Sequence, residues 1–276
     1  MIRSVTPSLI LAAALAQPLS GHAQEAQPPG IAGVEILPGW RAPDGSRIAA
    51  IRIGLDPGWK TYWRVPGEAG IPPMLDFTGS RNIAELQVIW PVPTAFDQNG
   101  MRSIGYHDVL VLPVRITPHD PAEPVMLDAV MDFGVCRNIC VPVSVRLDVD
   151  LEGAGAPDDR ISAAMEDVPV PRPGLARCTT EPVSDGTRVT ARIDLPDDRD
   201  TADQDRVALF ELRSHPMWVS ESTMSREGGV LIASADFVPD DARPFALDQS
   251  DLRITVLDNP AEGDAQAIEI DGCPAE

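Results

Sequence analysis

Hydrophobic and polar positions alternate along most of the chain. Residues 143–151 (VSVRLDVDL) switch at nearly every step, the period of a strand with one buried and one wet face. Residues 188–195 (RVTARIDL) put Val189, Ala191, Ile193 and Leu195 on one face, and Ile51, Ile53 and Leu55 do the same earlier. Residues 207–212 are also strand-like. Residues 109–116 (VLVLPVRI) are apolar almost throughout and predict a more deeply buried strand, in which Pro113, lacking an N–H, predicts an edge or a bulge. Short strands broken by Pro- and Gly-containing turns predict an all-β chain built as β-sandwiches. There is no strong glycine fingerprint for a nucleotide and no run of βαβ units.

One segment has helical character. Residues 157–167 (PDDRISAAMED) open with Pro and Asp and carry Ile161, Ala164 and Met165 on one face. The segment lies between Gly153-Ala154-Gly155 and a Pro-rich stretch ending at Gly174, so residues 153–174 read as a linker with a short helix. The flanking parts are residues 24–152 and 175–276. Their turns echo each other: Asp44-Gly45-Ser46-Arg47-Ile48 resembles Asp185-Gly186-Thr187-Arg188-Val189, each ahead of an alternating strand. Two sandwiches of similar plan explain this, and so does chance recurrence of a turn.

Residues 1–23 have the pattern of a secretory signal peptide. Arg3 gives a basic start, residues 9–15 (LILAAAL) an apolar middle, and Gly21-His22-Ala23 small residues for cleavage. No later run is apolar enough to span a bilayer, so the expectation is a periplasmic protein without stable membrane insertion. The net charge of −20 excludes a nucleic-acid binder, since nothing would neutralise phosphates. The acidity is uneven: residues 1–156 carry 11 Lys+Arg against 16 Asp+Glu (−5), and residues 157–276 carry 11 against 26 (−15).

Four cysteines allow three pairings. Cys178 opens the second half and Cys273 nearly ends the chain, so a bridge between them would brace one domain at both ends, worth about 4–5 kcal/mol in the chain-entropy treatment. Cys136 and Cys140 are separated by Arg137-Asn138-Ile139. In a straight strand such positions stand ~13 Å apart, whereas a disulfide needs Cα atoms within ~7 Å. If they bridge, the chain turns at Arg137-Asn138 and the flanking strands form a hairpin. So short a loop gives little stability, and exposed small-loop disulfides are often exchangeable. Arg137 between the sulfurs, with no carboxylate between Phe133 and Asp148, favours thiolate. The residues themselves leave redox exchange, a small structural bridge and metal ligation open.

Further stretches bear on that choice. Asp56-Pro57-Gly58-Trp59-Lys60-Thr61-Tyr62-Trp63-Arg64 leads into Pro66-Gly67-Glu68-Ala69-Gly70-Ile71-Pro72-Pro73, followed by Trp90-Pro91-Val92-Pro93, Gly105-Tyr106, residues 109–114 and Cys136-Arg137-Asn138-Ile139-Cys140-Val141-Pro142. Together these resemble the N-terminal periplasmic domain of the DsbD/ScsB thiol–disulfide interchange family, the ScsB-like branch more closely. The resemblance covers about residues 30–152; the second half matches only loosely. It implies two immunoglobulin-like β-sandwich domains, with the redox sandwich at residues 24–152 and a second at 175–276. It implies that Cys136 and Cys140 form the redox pair, that Cys140 makes the mixed disulfide with partners, and that an aromatic cap loop shields the pair. Phe96, in Phe96-Asp97-Gln98-Asn99-Gly100, is the cap candidate, with Tyr106 behind it. Trp59, Tyr62, Trp63 and Trp90 read as core or cleft walls.

The implied activity is that of a thiol–disulfide oxidoreductase of the protein-disulfide reductase type, without cofactor. Family members continue into a membrane domain and a thioredoxin-like domain, and this sequence ends at Glu276. The expectation is therefore a stand-alone relay. It would draw electrons from a thioredoxin-like domain or a membrane DsbD-type reductant and deliver them to periplasmic disulfide-bearing proteins. Two rival readings use the same cysteines. A copper-handling protein would add Met126, Met131, His107 or His119 as ligands. A non-catalytic interaction module would keep both bridges as braces. His107-Asp108 reads as a surface turn pair, because no nucleophile stands in a matching motif.

Overall fold

A computed structural model describes residues 28–68, 70–98, 101–195, 206–259 and 264–275. Residues 1–23, whose pattern predicts a signal peptide, and Asn99 and Gly100 of the stretch that holds the cap candidate lie outside the described residues. The fold is all-β, two immunoglobulin-like sandwiches with one short helix among the described residues.

The first sandwich uses β1 (Ile31–Arg41), β2 (Arg47–Leu55), β3 (Lys60–Tyr62), β4 (Met74–Asp76), β5 (Glu85–Val88), β6 (Thr94–Gln98), β7 (Met101–His107), β8 (Val109–Thr117), β9 (Val125–Cys136) and β10 (Cys140–Leu151). One sheet has the order β1-β2-β8-β5, the other β10-β9-β3-β7-β6 with β4 also on β9. Alternation decides what each sheet buries. Ile51, Ile53, Leu110 and Leu112 from one sheet meet Ile104, Tyr106, Met131, Phe133 and Val135 from the other, around a fully buried Trp63.

Two expectations change on inspection. β2 is buried on both faces, not one, because α1 (Asp159–Glu166) covers its outer side: Ile161 packs with Leu37, Ile48 and Ala50. The helix starts where Asp158 accepts the Arg160 N–H, an N-cap. Pro113 is neither on an edge strand nor in a bulge, since β8 pairs with β2 in unbroken register and with β5 on its other side. Its carbonyl accepts from Ile89 N–H at 2.8 Å, just beyond the last β5–β8 pair, Val88–Val114. The absent N–H therefore faces a place where the ladder has already ended.

The second sandwich uses β11 (Val170–Pro171), β12 (Ala176–Pro182), β13 (Thr187–Ile193), β14 (Arg206–Leu212), β15 (Trp218–Val219), β16 (Thr223–Glu227), β17 (Val230–Val238), β18 (Leu252–Asp258) and β19 (Gln266–Asp271). Its sheets run β11-β19-β18-β14 and β12-β13-β17-β15, with β16 on β17. The echoed turns fall at equivalent places, each between the two strands of a hairpin whose second strand is internal to its sheet. Cys178 and Cys273 are joined at 2.01 Å, linking β12 to the segment after β19. Both are buried in a core that includes Phe210 and Phe237.

β14 is buried on both faces for a different reason. Ala208 and Phe210 enter the core of the second sandwich, while Val207 and Leu209 join the apolar cluster of the first. Leu257 and Ala267 do likewise from β18 and β19. The outer face of this sheet is thus a junction. Arg64 spans it, with Nε 2.9 Å from Glu211 Oε1 and Nη2 2.6 Å from Glu269 Oε2. Burial raises the Glu211 carboxyl pKa, and Arg64 opposes that rise.

Candidate functional site

β9 and β10 form a hairpin whose last register pair is Cys136–Cys140. The turn between them is Arg137-Asn138-Ile139, and Arg137 N–H donates to the Ile139 carbonyl at 3.2 Å. The sulfurs are bonded at 2.04 Å and the Cα atoms stand 4.2 Å apart. The two ends of the bond differ. Cys136 is 0% exposed, Cys140 is exposed, and Ile139 beside it is 70% exposed. The solvent-exposed end of the bond is therefore Cys140.

The six-stranded sheet arranges the surroundings. Lys60 on β3 stands directly opposite Cys136 on one side and His107 on the other. Strand alternation then places Tyr62 on the same face as Lys60, and Thr61 and Trp63 on the core side. Tyr62 Oη lies 2.7 Å from Cys136 Sγ, as donor, and 3.3 Å from Cys140 Sγ. Burial raises the Tyr62 pKa, so the phenol keeps its proton and remains a donor. Burial lowers the Lys60 pKa. Its ammonium donates to Ser103 Oγ at 2.9 Å and lies 5.1 Å over the ring of Phe96. Phe96 in turn meets His107 edge-on at 6.0 Å. The guanidinium of Arg137 lies 5.7 Å from the Trp59 ring.

Phe96 is half-buried and belongs to strand β6, where a loop was expected. Phe96, Asp97 and Gln98 of that stretch pair with Ser103, Arg102 and Met101 of β7. Tyr106 lies on the opposite face of β7, in the core, with its hydroxyl donating to the Pro91 carbonyl at 2.9 Å. Burial pushes its pKa far up. It stands behind the sheet, away from the sulfurs. Trp63 is a core residue, and Trp59 and Trp90 are half-buried against the same cluster.

Tyr62 and Lys60 are the residues that sequence reasoning passed over. By sequence Tyr62 reads as a core or cleft wall, together with Trp59, Trp63 and Trp90. The available signal was parity: in Lys60-Thr61-Tyr62-Trp63, only one of the two adjacent aromatics can face the core.

The copper candidates do not converge. Met131 is buried on the core face of β9, opposite in parity to Cys136. Met126 is ten residues along that strand, ~33 Å away at the rise of an extended chain. His119 is exposed after β8, and His107 Nδ1 is 2.6 Å from Asp108 Oδ2. Among the described residues no three His, Cys, Asp or Glu side chains form a metal-binding group. No helix among them is long and apolar enough to cross a membrane.

Comparison with known proteins bears on the same span. Residues 33–151 match the family described as thiol:disulfide interchange protein DsbD, N-terminal. The N-terminal periplasmic domain of ScsB from Proteus mirabilis is a similar solved structure, at 25% identity and TM-score 0.60, covering 86% of this chain and 91% of that one. The DsbD N-terminal domain of Neisseria meningitidis, in the reduced form, is 19% identical over 45% of this chain and 90% of that one, with TM-score 0.27. Among curated proteins none matches the chain. The matched span contains the Cys136–Cys140 hairpin, Lys60, Tyr62 and Phe96, so the part of the chain that bears this disulfide is the part that resembles the N-terminal domain of DsbD-type thiol:disulfide interchange proteins.

Proposed function

We propose that this protein is a periplasmic relay that takes reducing equivalents from a membrane-linked, thioredoxin-like donor and passes them to disulfide-bearing proteins. The observation that carries this reading is the asymmetry of the disulfide. One sulfur belongs to an exposed residue at a hairpin end, and the other is buried with a phenol O–H aimed at it. In the first step a donor thiolate attacks Cys140 Sγ. The Cys140–Cys136 bond breaks, a donor–Cys140 bond forms, and Cys136 Sγ leaves with the electron pair as a thiolate. Tyr62 stabilises that charge by donating to it, which makes Cys136 a better leaving group. A second donor thiolate then attacks the donor sulfur of the mixed disulfide. The donor departs as a disulfide, and a dithiol remains here. The same steps run in reverse against an oxidised target.

The secretory pattern of residues 1–23 and the periplasmic origin of the ScsB domain support the compartment. Phe96 is the shield in this reading. It holds the ground beside Lys60 and His107 on the sulfur-bearing face. The Cys178–Cys273 bond serves as the brace of the second sandwich.

Trapping tests the assignment. Cys136→Ser leaves Cys140 to form a mixed disulfide that cannot resolve, so a thioredoxin-like domain lacking its own resolving cysteine should be captured covalently. Cys140→Ser should capture none. Equal capture by both variants would sink the assignment of Cys140.

A further inference from the structure

β6 is the outermost strand of its sheet, so at alternate residues its backbone polar groups point away from β7. At Ala95 a single side chain from the second sandwich takes both groups. Asn259 Oδ1 accepts the Ala95 N–H at 3.0 Å, and Asn259 Nδ2 donates to the Ala95 carbonyl at 3.2 Å. The amide thus does the work of a residue on a neighbouring strand and closes an edge that would otherwise stay open. Ala95 directly precedes Phe96. The partner strand is tied from the same side: Arg102 on β7, opposite Asp97, lies 3.3 Å from Glu221 of the second sandwich.

The anchor itself is firm. Asn259 follows the last residue of β18, Asp258, which is paired with Arg206 at 2.6 Å with both side chains buried. Leu257 lies in the apolar cluster shared by the two sandwiches. Asn259 is therefore fixed to the junction, while β6 leans on it from the edge of its sheet.

We infer that the second sandwich positions the shield: Asn259 clamps β6 and so keeps Phe96 beside Lys60 and His107, and loosening this clamp gives a thiol access to the disulfide. This rests on the reading of Phe96 as the shield of Cys136–Cys140. Asn259 is a positioning residue, since it touches neither sulfur. The arrangement gives the second sandwich a part in the exchange, by setting how often the first one opens.

The test uses the full chain and follows reduction of Cys136–Cys140 by dithiothreitol, read by alkylation and mass, alongside the equilibrium potential of the pair against glutathione. Asn259→Ala should raise the rate roughly tenfold, the order expected for losing one or two hydrogen bonds that favour the closed position, and leave the potential unchanged. Asn259→Asp keeps the acceptor for Ala95 N–H and should fall between wild type and Asn259→Ala. Glu221→Gln should give a smaller rise. Phe96→Ala should raise the rate at least as much as Asn259→Ala, and the double variant should add nothing to it, because both act through one opening. An unchanged rate in Asn259→Ala, a shifted potential, or full additivity with Phe96→Ala would overturn the clamp. So would parallel exposure of Cys178–Cys273 in Asn259→Ala, which would mark general loosening. If Phe96→Ala leaves the rate unchanged while Cys136→Ser still captures a thioredoxin-like domain, the shield and its clamp both fall and the interchange function stands.

Discussion

Cys136–Cys140 and Cys178–Cys273 are the same covalent bond set in opposite surroundings. The first closes a turn of three residues at the turn end of a hairpin, with one member exposed and Tyr62 against its sulfurs. The second closes a separation of 95 residues, with both members buried in a core between two sheets. Loop length sets what each can do for stability, and exposure sets what each can do for chemistry. A bond that restrains a long chain and admits no thiol is suited to holding. A bond that restrains only a short turn and has a leaving group with a ready proton donor is suited to exchange.

The contrast can be broken at several points. The largest expected effect is on folding. Replacing Cys178 and Cys273 by Ala should lower stability by about 4–5 kcal/mol in denaturant titration, against roughly half that for the Cys136/Cys140 pair. Equal losses would mean that the short bridge is also a brace. Next comes accessibility. Dithiothreitol should open Cys136–Cys140 in the folded protein roughly a thousandfold faster than Cys178–Cys273, since the buried bond is reached only through larger opening. The potential of the exposed pair should lie above about −300 mV, and a lower value would mark it as inert.

Tyr62→Phe probes the chemistry more finely. Losing one hydrogen bond to a leaving thiolate should slow exchange about tenfold and raise the pKa of the Cys136 thiol in the reduced protein. Thiolate absorbance against pH would read the second effect, and an unchanged titration would reduce Tyr62 to a packing residue.

The smallest effect concerns the junction. Burial raises the Glu211 pKa above its ordinary 4.5 in the folded chain. The folded state thus holds this proton more tightly than the unfolded one. Its contribution to stability is complete below pH 4.5 and fades as pH rises through the raised value. The stability of wild type relative to Glu211→Gln should therefore decline from acid towards neutral pH in chemical denaturation. A difference that stays flat would mean that Arg64 cancels the burial.

Much of the fold was legible because alternation is local. Val189, Ala191 and Ile193 face a core as their spacing requires, and the helix over Asp159–Glu166 follows from its cap and its apolar stripe. The cysteine hairpin was legible only in part: chain reach requires a turn if Cys136 and Cys140 bridge, and the resemblance implied that they are a pair. What escaped was set by contacts remote in the chain. Arg64 meets Glu211 and Glu269 across separations of 147 and 205 residues, and Asn259 reaches Ala95 across 164. No periodicity records such meetings. Tyr62 escaped for a subtler reason: aromatic composition pointed inward, and only the parity of a three-residue strand pointed out.

The helix over β2 has a practical consequence for anyone cutting the chain. The family match ends at residue 151, but Ile161 lies eight residues into the segment that follows Gly153 and covers Ile48 and Ala50. A fragment stopped at Leu151 would carry that apolar stripe into water and invite self-association. One extended through Asp167, whose carbonyl also accepts from Val92 N–H, would keep its roof.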